Sequence, residues 1–386
     1  MRRCAVLAVG LSLGLLSSLS ASDLQAGGGL APEPLPASGA ASSWEGAQFV
    51  EADRAGRVFL FRAKTFEIYP VLNSGFLGKP FKLKVALSTG AGIQNAAMSP
   101  GGDQWLLQAG RTVRLFVNGE EKALPPLPWL PNTVTFLRDT PMVGVLPFPV
   151  PGSFSDLEKL GTPPRVLRLD DDRWNPMIQP KGASVAELLG EKADTGELND
   201  AVADVSLFMT GDRQGKLWTA QQFAYRVERF SPAGRRLFAM TVDGGKVRKE
   251  GESKGIEVKR KDDAQNPVKA TDNPKAEKGT YFPFTAVPVF LDLAEGRDGK
   301  IYFLIRLSGG KAALDRYDPV QSILERVPLR LNAEGRFTLA AGKDALYLAA
   351  WDGRKGRWKL DWGVLDQGKW EEVDMQVSGS SGASAP

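Results

Sequence analysis

The sequence predicts an all-β protein whose mature part is a single β-propeller of about six four-stranded blades. Three observations carry that expectation: a recurring turn-and-strand phrase, its spacing, and the near absence of helical periodicity. In the phrase, a polar Gly/Asp turn leads into a strand with an aromatic near its start. It occurs as Asp53-Arg54-Ala55-Gly56-Arg57-Val58-Phe59, Gly101-Gly102-Asp103-Gln104-Trp105 and Asp212-Arg213-Gln214-Gly215-Lys216-Leu217-Trp218. It returns as Arg297-Asp298-Gly299-Lys300-Ile301-Tyr302 and Gly342-Lys343-Asp344-Ala345-Leu346-Tyr347, with a degenerate copy at Arg138-Asp139-Thr140-Pro141-Met142-Val143. Phe59 to Trp105 is 46 residues, Trp105 to Val143 is 38 and Tyr302 to Tyr347 is 45. The remaining gaps, 75 and 84, each read as one repeat plus an insertion, since a four-stranded blade takes ~40–50 residues.

The fourth copy supplies all the strands of such a blade: Ala203–Met209 as a, Lys216–Gln222 as b, Tyr225–Phe230 as c and Arg235–Val242 as d. Helical patterning is confined to Ser184–Glu191. A β-sandwich with chance repetition is the competing reading. The closing blade draws either on its own residues from Arg336 to Met375 or on an N-terminal segment near Trp44.

The stretch Asp212…Gly215-Lys216-Leu217-Trp218, followed by Arg226-Val227-Glu228-Arg229-Phe230 and Ser231-Pro232-Ala233-Gly234, resembles a repeat of the NHL-type six-bladed propellers. A partial match is Asp315-Arg316-Tyr317-Asp318-Pro319. The resemblance implies a fold and leaves activity open, because propellers host many unrelated functions.

The chain begins with Arg2 and Arg3, then an apolar run from Ala5 to Leu19 that is too short to span a bilayer. Residues 1–21 therefore read as a secretory signal peptide cleaved after Ala21, with Ala26 as a second cleavage point. A twin-arginine signal is the weaker alternative. Residues 22–43 are rich in Gly, Ala, Pro and Ser and read as a disordered tether, the propeller as 44–377, and 378–386 as a disordered tail. Cys4, the sole cysteine, precedes the apolar run, so it is not a lipoprotein cysteine. A periplasmic or extracellular location follows, with no transmembrane segment in the mature chain.

The formal charge of +4 falls to about +2 once Arg2 and Arg3 are removed (4 − 2), too small to argue for nucleic acid. The sequence contains no histidine, which removes Ser/His/Asp and Cys/His catalysis and imidazole metal sites. Gly211–Lys216 and Gly296–Lys300 lack phosphate-loop spacing and a following helix, so their glycines read as turns. Asp170-Asp171-Asp172 reads as a hairpin turn rather than a calcium site. Asp204 and Asp292 fall on inner strands, where carboxylates lining a propeller axis can gather a hard cation such as calcium. The additional ligands of the calcium-dependent lactonase-like propellers are not recognisable, and no cofactor is predicted.

Chain order in a blade puts b-to-c and d-to-a connections on one face and a-to-b and c-to-d turns on the other. The insertions 149–163, 180–200 and 243–283 then share a face. That face also receives Arg62, Lys64, Arg111, Lys311, Arg354 and Lys355, together with the run Lys259-Arg260-Lys261. Between Lys246 and Lys278 there are ten Lys or Arg against seven acids. Polar loop tips are ordinarily only solvated; the sharper expectation is a moderately basic face that meets an anionic envelope polymer, glycan or protein. Trp105 and Trp218 are expected between blades, and Trp351 in a b-to-c loop where it could stack on a sugar. The leading expectation is a monomeric, exported, non-enzymatic binding or scaffold propeller. A carboxylate- and calcium-dependent hydrolase and a carbohydrate-binding propeller are the alternatives.

Overall fold

The computed structural model describes residues 33–34, 48–72, 77–85, 92–150, 163–179, 206–242, 288–307, 310–332, 336–343, 345–352, 357–364 and 370–379. Among them every regular element is a strand. The first is β1 (Glu33–Pro34). The first sheet in chain order holds β2 (Phe49–Ala52), β3 (Val58–Arg62), β4 (Glu67–Val71) and β5 (Phe81–Lys82). The second holds β6 (Ile93–Met98), β7 (Gln104–Ala109), β8 (Thr112–Val117) and β9 (Glu120–Lys122). The third holds β10 (Trp129–Leu137), β11 (Thr140–Pro149), β12 (Val166–Asp170) and β13 (Arg173–Ile178). The fourth holds β14 (Leu207–Gly211), β15 (Leu217–Gln221), β16 (Arg226–Phe230) and β17 (Arg236–Thr241). The fifth holds β18 (Phe290–Glu295), β19 (Ile301–Arg306), β20 (Lys311–Asp318) and β21 (Ile323–Asn332). The sixth holds β22 (Phe337–Ala341), β23 (Ala345–Asp352) and β24 (Arg357–Val364).

Within each sheet, consecutive strands pair antiparallel. The leading strands β2, β6, β10, β14, β18 and β22 touch one another in that order, and β22 returns to β2. A closed ring of antiparallel meanders in contact through their first strands is a β-propeller. The four strands expected in the fourth blade are all present, with ends shifted by at most four residues.

Both chain ends leave their own neighbourhood. β1 lies in the stretch read as a tether, yet it pairs with β24, placing Glu33 opposite Trp362 and Pro34 opposite Asp361. Backbone pairing makes little demand on composition, so composition could not reveal it. Pro34 is tolerated because proline, lacking an N–H, suits a strand at a sheet's rim. After β24 the chain adds β25 (Glu371–Glu372) to the outer edge of β21 and β26 (Gln376–Gly379) to that of β17. Ser378 and Gly379, set at the start of the tail, are therefore in a strand. Most of insertion 149–163, all of 180–200 and 243–283, and the helix expected at 184–191 lie outside the described residues.

The repeated turn is the same structure four times. Gly56, Gly102, Gly215 and Gly299 have φ of 78, 80, 72 and 78°. Each donates its N–H to the carbonyl three residues back, on Asp53, Ser99, Asp212 and Gly296, at 2.9, 2.9, 2.8 and 3.0 Å. A side chain at such a φ costs about 1–2 kcal/mol by itself. At Gly299 an added Cβ meets nothing within 4 Å, whereas at Gly56 it would meet the Lys343 backbone nitrogen at 2.8 Å. Gly299→Ala should therefore lose about 1–2 kcal/mol in urea unfolding, and Gly56→Ala distinctly more; equal losses would show that neighbour contact at Gly56 is immaterial.

These turns also reveal the two faces of the ring. The Lys343 N–H donates to Gly56 O at 3.2 Å and the Arg54 N–H to Pro100 O at 2.9 Å, while the Arg138 side chain lies over Gly215. Neighbouring a-to-b turns thus meet around one face. The strand ends from which the three insertions depart, at Pro149, Ile178 and Thr241, belong to the other. The Asp170 hairpin is a turn, as expected: Asp171 and Asp172 have φ of 47 and 58° between β12 and β13, the paired positive values of a tight two-residue hairpin.

The core is the set of interfaces between sheets. Trp105 is 1% exposed, with its ring 5.7 Å from that of Phe61 on the first sheet. Trp218, also 1% exposed, lies 5.8 Å from Tyr317 on the fifth. Both aromatic positions of the repeat are therefore packing positions between blades.

Candidate functional site: axial carboxylates and the insertion face

The inner strands bring two carboxylates together. Glu51 on β2 and Asp292 on β18 lie close enough for the charge of Asp292 to raise the Glu51 pKa. Burial is the larger cause and lifts Glu51 well above the usual carboxylate range, opposed by a hydrogen bond from the Met98 backbone. Burial also lifts Asp292 to about 7, against hydrogen bonds from the Leu339 and Leu293 N–H groups. Asp292 Oδ2 accepts from Leu339 at 2.6 Å and Oδ1 from Leu293 at 2.8 Å. Each carboxylate thus holds the first strand of the next blade, Glu51 joining the first to the second and Asp292 the fifth to the sixth.

Other polar groups do the same work around the ring. Asn95 Nδ2 donates to Thr133 Oγ1 at 3.1 Å, and the Val50 N–H donates to Thr338 Oγ1 at 3.1 Å. Glu295 accepts from the Arg213 N–H with both oxygens, at 3.0 and 2.9 Å, and burial lifts it to about 7. Unpaired polar groups would be costly here, so these bonds hold neighbouring blades in register.

Farther out, two charged clusters bridge blades. Arg165 Nη1 donates to Glu228 Oε2 at 2.8 Å, with side chains 6% and 2% exposed. Arg226 and Arg236 meet the other Glu228 oxygen at 2.8 and 3.2 Å. Burial alone would raise this carboxyl, but the arginines hold it below its usual range. In the second cluster Arg326 grips Asp315 with two bonds of 2.7 and 2.8 Å, while Tyr225 of the fourth blade donates to Asp315 Oδ2 at 2.5 Å.

A metal reading of the axis has one of its two expected residues here. Asp292 is present on an inner strand; Asp204 lies outside the described residues. Among the described residues no group of three or more metal-ligating side chains is found. Both Asp292 oxygens already accept backbone hydrogen bonds, so the arrangement acts first as a brace.

The insertion face carries part of the expected basic set. Lys64 in the β3–β4 turn, Arg111 in the β7–β8 turn and Lys311 at the start of β20 are exposed. Arg62 is engaged: its Nη1 lies 3.7 Å from Glu67 and donates to the Tyr69 hydroxyl at 3.3 Å, and its guanidinium lies 5.0 Å from the Tyr69 ring. Trp351 is a correction. It lies in β23, paired with Trp358, rather than in a loop, because the strand pair runs on to Asp352 and Arg357. Arg354, Lys355, Lys259, Arg260 and Lys261 lie outside the described residues.

Glu51, Glu295 and the Glu228 and Asp315 clusters were not singled out from sequence. The available signal was an acid within an otherwise apolar strand, as in Phe49-Val50-Glu51-Ala52.

No protein-family model matches the chain, and a search of curated proteins also finds no match. Among solved structures it is similar to a streptogramin B lyase, at 12% identity and a TM-score of 0.44 over 86% of this chain and 84% of that one. A calcium-binding regucalcin from Agrobacterium tumefaciens gives 13% identity and a TM-score of 0.40, covering 84% and 92%. The RRP9 WD40 repeats give 9% and 0.45, covering 87% and 99%. Identities this low speak to fold alone. The chain is a β-propeller on the strength of its closed ring of sheets.

Proposed function

We propose that the mature chain is an exported, non-enzymatic binding or scaffold β-propeller of a bacterial envelope. It engages an anionic polymer or an acidic protein surface through the face that carries the insertions. The observation that supports this most is the employment of the inner carboxyl groups: Glu51, Asp292, Glu228 and Asp315 hold one blade to the next. Exposed cations at Lys64, Arg111 and Lys311 occupy the insertion face, and long connections on a rigid scaffold are where binding usually resides. The charged start of the chain and its short apolar run support export to the periplasm or beyond.

Reversing Lys64, Arg111 and Lys311 to glutamate, together with Arg354, Lys355 and Lys259–Lys261, should abolish salt-sensitive retention on anionic envelope material. Retention unchanged by reversal would sink the binding reading. N-terminal sequencing of protein from the envelope fraction should begin at Ser22, and an intact Met1 would overturn export. The Glu51–Asp292 pair favours, as a second reading, a carboxylate-dependent hydrolase that uses calcium. Calcium-induced thermal stabilisation lost in Asp292→Asn is its signature.

A further inference from the structure

The turn face of the ring carries cations that its own acids do not meet. Arg54, Arg213 and Arg297 each stand two residues before the turn glycine, and Lys343 follows Gly342. Arg213 is drawn inward: its N–H and side chain meet Glu295, and its Nη1 donates to Arg297 O. Arg54, Arg297 and Lys343 are exposed, as is Arg235 in the β16–β17 hairpin, and none of these four side chains is in an ion pair among the described residues. The acids of the same turns look inward instead. Asp53 and Asp212 are buried and accept from the Arg57 and Lys216 N–H groups, each at 2.8 Å, while Asp298 accepts from the Lys300 N–H at 3.1 Å and the Tyr302 hydroxyl at 2.9 Å.

Exposed apolar tips stand on the same face. Chain order puts the c-to-d hairpins beside the a-to-b turns, and Lys300 Nζ, one residue past Gly299, lies 3.6 Å from Asp318 at the base of the β20–β21 hairpin. Val320 at the tip of that hairpin is 90% exposed. Its position is fixed, since Asp318 Oδ1 accepts from the Val320 and Gln321 N–H groups at 2.9 and 3.0 Å. Leu72, 49% exposed, follows Val71, which pairs with Val58 just past the Gly56 turn. Pro232 and Ala233 are exposed beside Arg235. These groups belong to the fourth, fifth, sixth and first sheets. The exposed acids Asp103, Asp139, Asp171 and Asp172, accompanied by Arg138 and Arg173, belong to the second and third. Glu371, Glu372 and Asp374 run along the outer edge of β21, set back from Val320 by the pairing of Val373 with Leu324.

We propose that this arc of the turn face rests on an anionic lipid surface, with Arg54, Arg235, Arg297 and Lys343 against the headgroup phosphates and Val320 and Leu72 in the boundary beneath them. Each cation near an anionic leaflet adds attraction, and apolar side chains that stand out from a rigid scaffold gain by leaving water. The apolar tips favour lipid over a soluble acidic polymer, which offers them nowhere dry. The inference goes beyond the partner proposed for the insertion face, because in this orientation that face points away from the bilayer.

The test uses the chain from Ser22 onward, which retains every described residue, and vesicles of equal parts phosphatidylglycerol and phosphatidylcholine, followed by co-sedimentation. The wild-type chain should bind these vesicles and not pure phosphatidylcholine. Arg54→Glu/Arg235→Glu/Arg297→Glu/Lys343→Glu should weaken binding at least about tenfold, and Leu72→Ser/Val320→Ser about threefold or more. Lys64→Glu/Arg111→Glu/Lys311→Glu, on the insertion face, should leave it unchanged. No binding by the wild type, equal binding to both kinds of vesicle, or loss in the insertion-face variant instead overturns the proposal. Binding that falls with the charge reversals but ignores the two serine replacements points to a soluble polyanion and overturns it too. Should the fourfold variant fail to fold, labelling decides, because the chain from Ser22 has no cysteine and Val320→Cys can carry a single polarity-sensitive dye. Its emission should shift to the blue on phosphatidylglycerol vesicles, and that of labelled Lys64→Cys should not. No shift for Val320→Cys, or equal shifts for both, sinks the idea.

Discussion

Replacing Arg326 with leucine is expected to lower the unfolding free energy by about 3–5 kcal/mol, the usual cost of stranding a buried charge. Asp315 is 0% exposed, and two of its hydrogen bonds come from Arg326. Without the guanidinium, the carboxylate keeps the Tyr225 hydroxyl, which cannot neutralise it. The double replacement Asp315→Leu/Arg326→Leu should cost less than Arg326→Leu alone, since no charge is then left behind. Urea unfolding of the single and double variants checks this, and additive losses would contradict it. Tyr225→Phe should lose about 1.5–3 kcal/mol, the value of a hydrogen bond to a charged group.

Stability is expected to fall as pH rises from about 4 to about 7, and Asp292→Asn should flatten the slope. Asp292 titrates at about 7 in the folded chain against an ordinary value of 3.8. The folded state therefore holds this proton more tightly than the unfolded chain does. As pH rises through that window the unfolded state ionises first and gains, and above about 7 the difference no longer changes. Three units at about 1.4 kcal/mol each set an upper bound of roughly 4 kcal/mol. Glu51, which burial and Asp292 hold well above the usual carboxylate range, and Glu295, also lifted to about 7, act in the same direction and leave a residual slope in the variant. Glu228 is held low, so its contribution has the opposite sign and is lost as pH falls below the usual glutamate range. Urea midpoints at intervals between pH 4 and 8 measure the slope, and identical slopes for wild type and Asp292→Asn would refute the assignment.

What could be read from sequence was local. The turns at Gly56, Gly102, Gly215 and Gly299 follow from short-range chemistry, a glycine where φ is positive and a hydrogen bond three residues back. Trp105 and Trp218 follow from their place in the repeat. Chain order then put the departure points of the insertions on one face, because alternating antiparallel strands leave no choice. What escaped notice was long-range. Glu51 meets Asp292 only because two inner strands far apart in sequence approach the axis. Arg165 finds Glu228 across an interface 63 residues away. Neither has a local pattern. The seats of Glu33–Pro34 and of residues 370–379 were invisible for a related reason: edge pairing asks little of side chains, so a polar, glycine- or proline-rich segment can do it.

The pairing of Glu33 with Trp362 ties together residues far apart in the chain. During synthesis the first of these emerges long before its counterpart exists, so the seam cannot close until β24 has been made. A chain lacking β1 would keep the outer edge of β24 unpaired and open to adhesion by other strands. Removing β1 and removing β24 should damage the same joint, giving two deletions far apart in the chain a common defect.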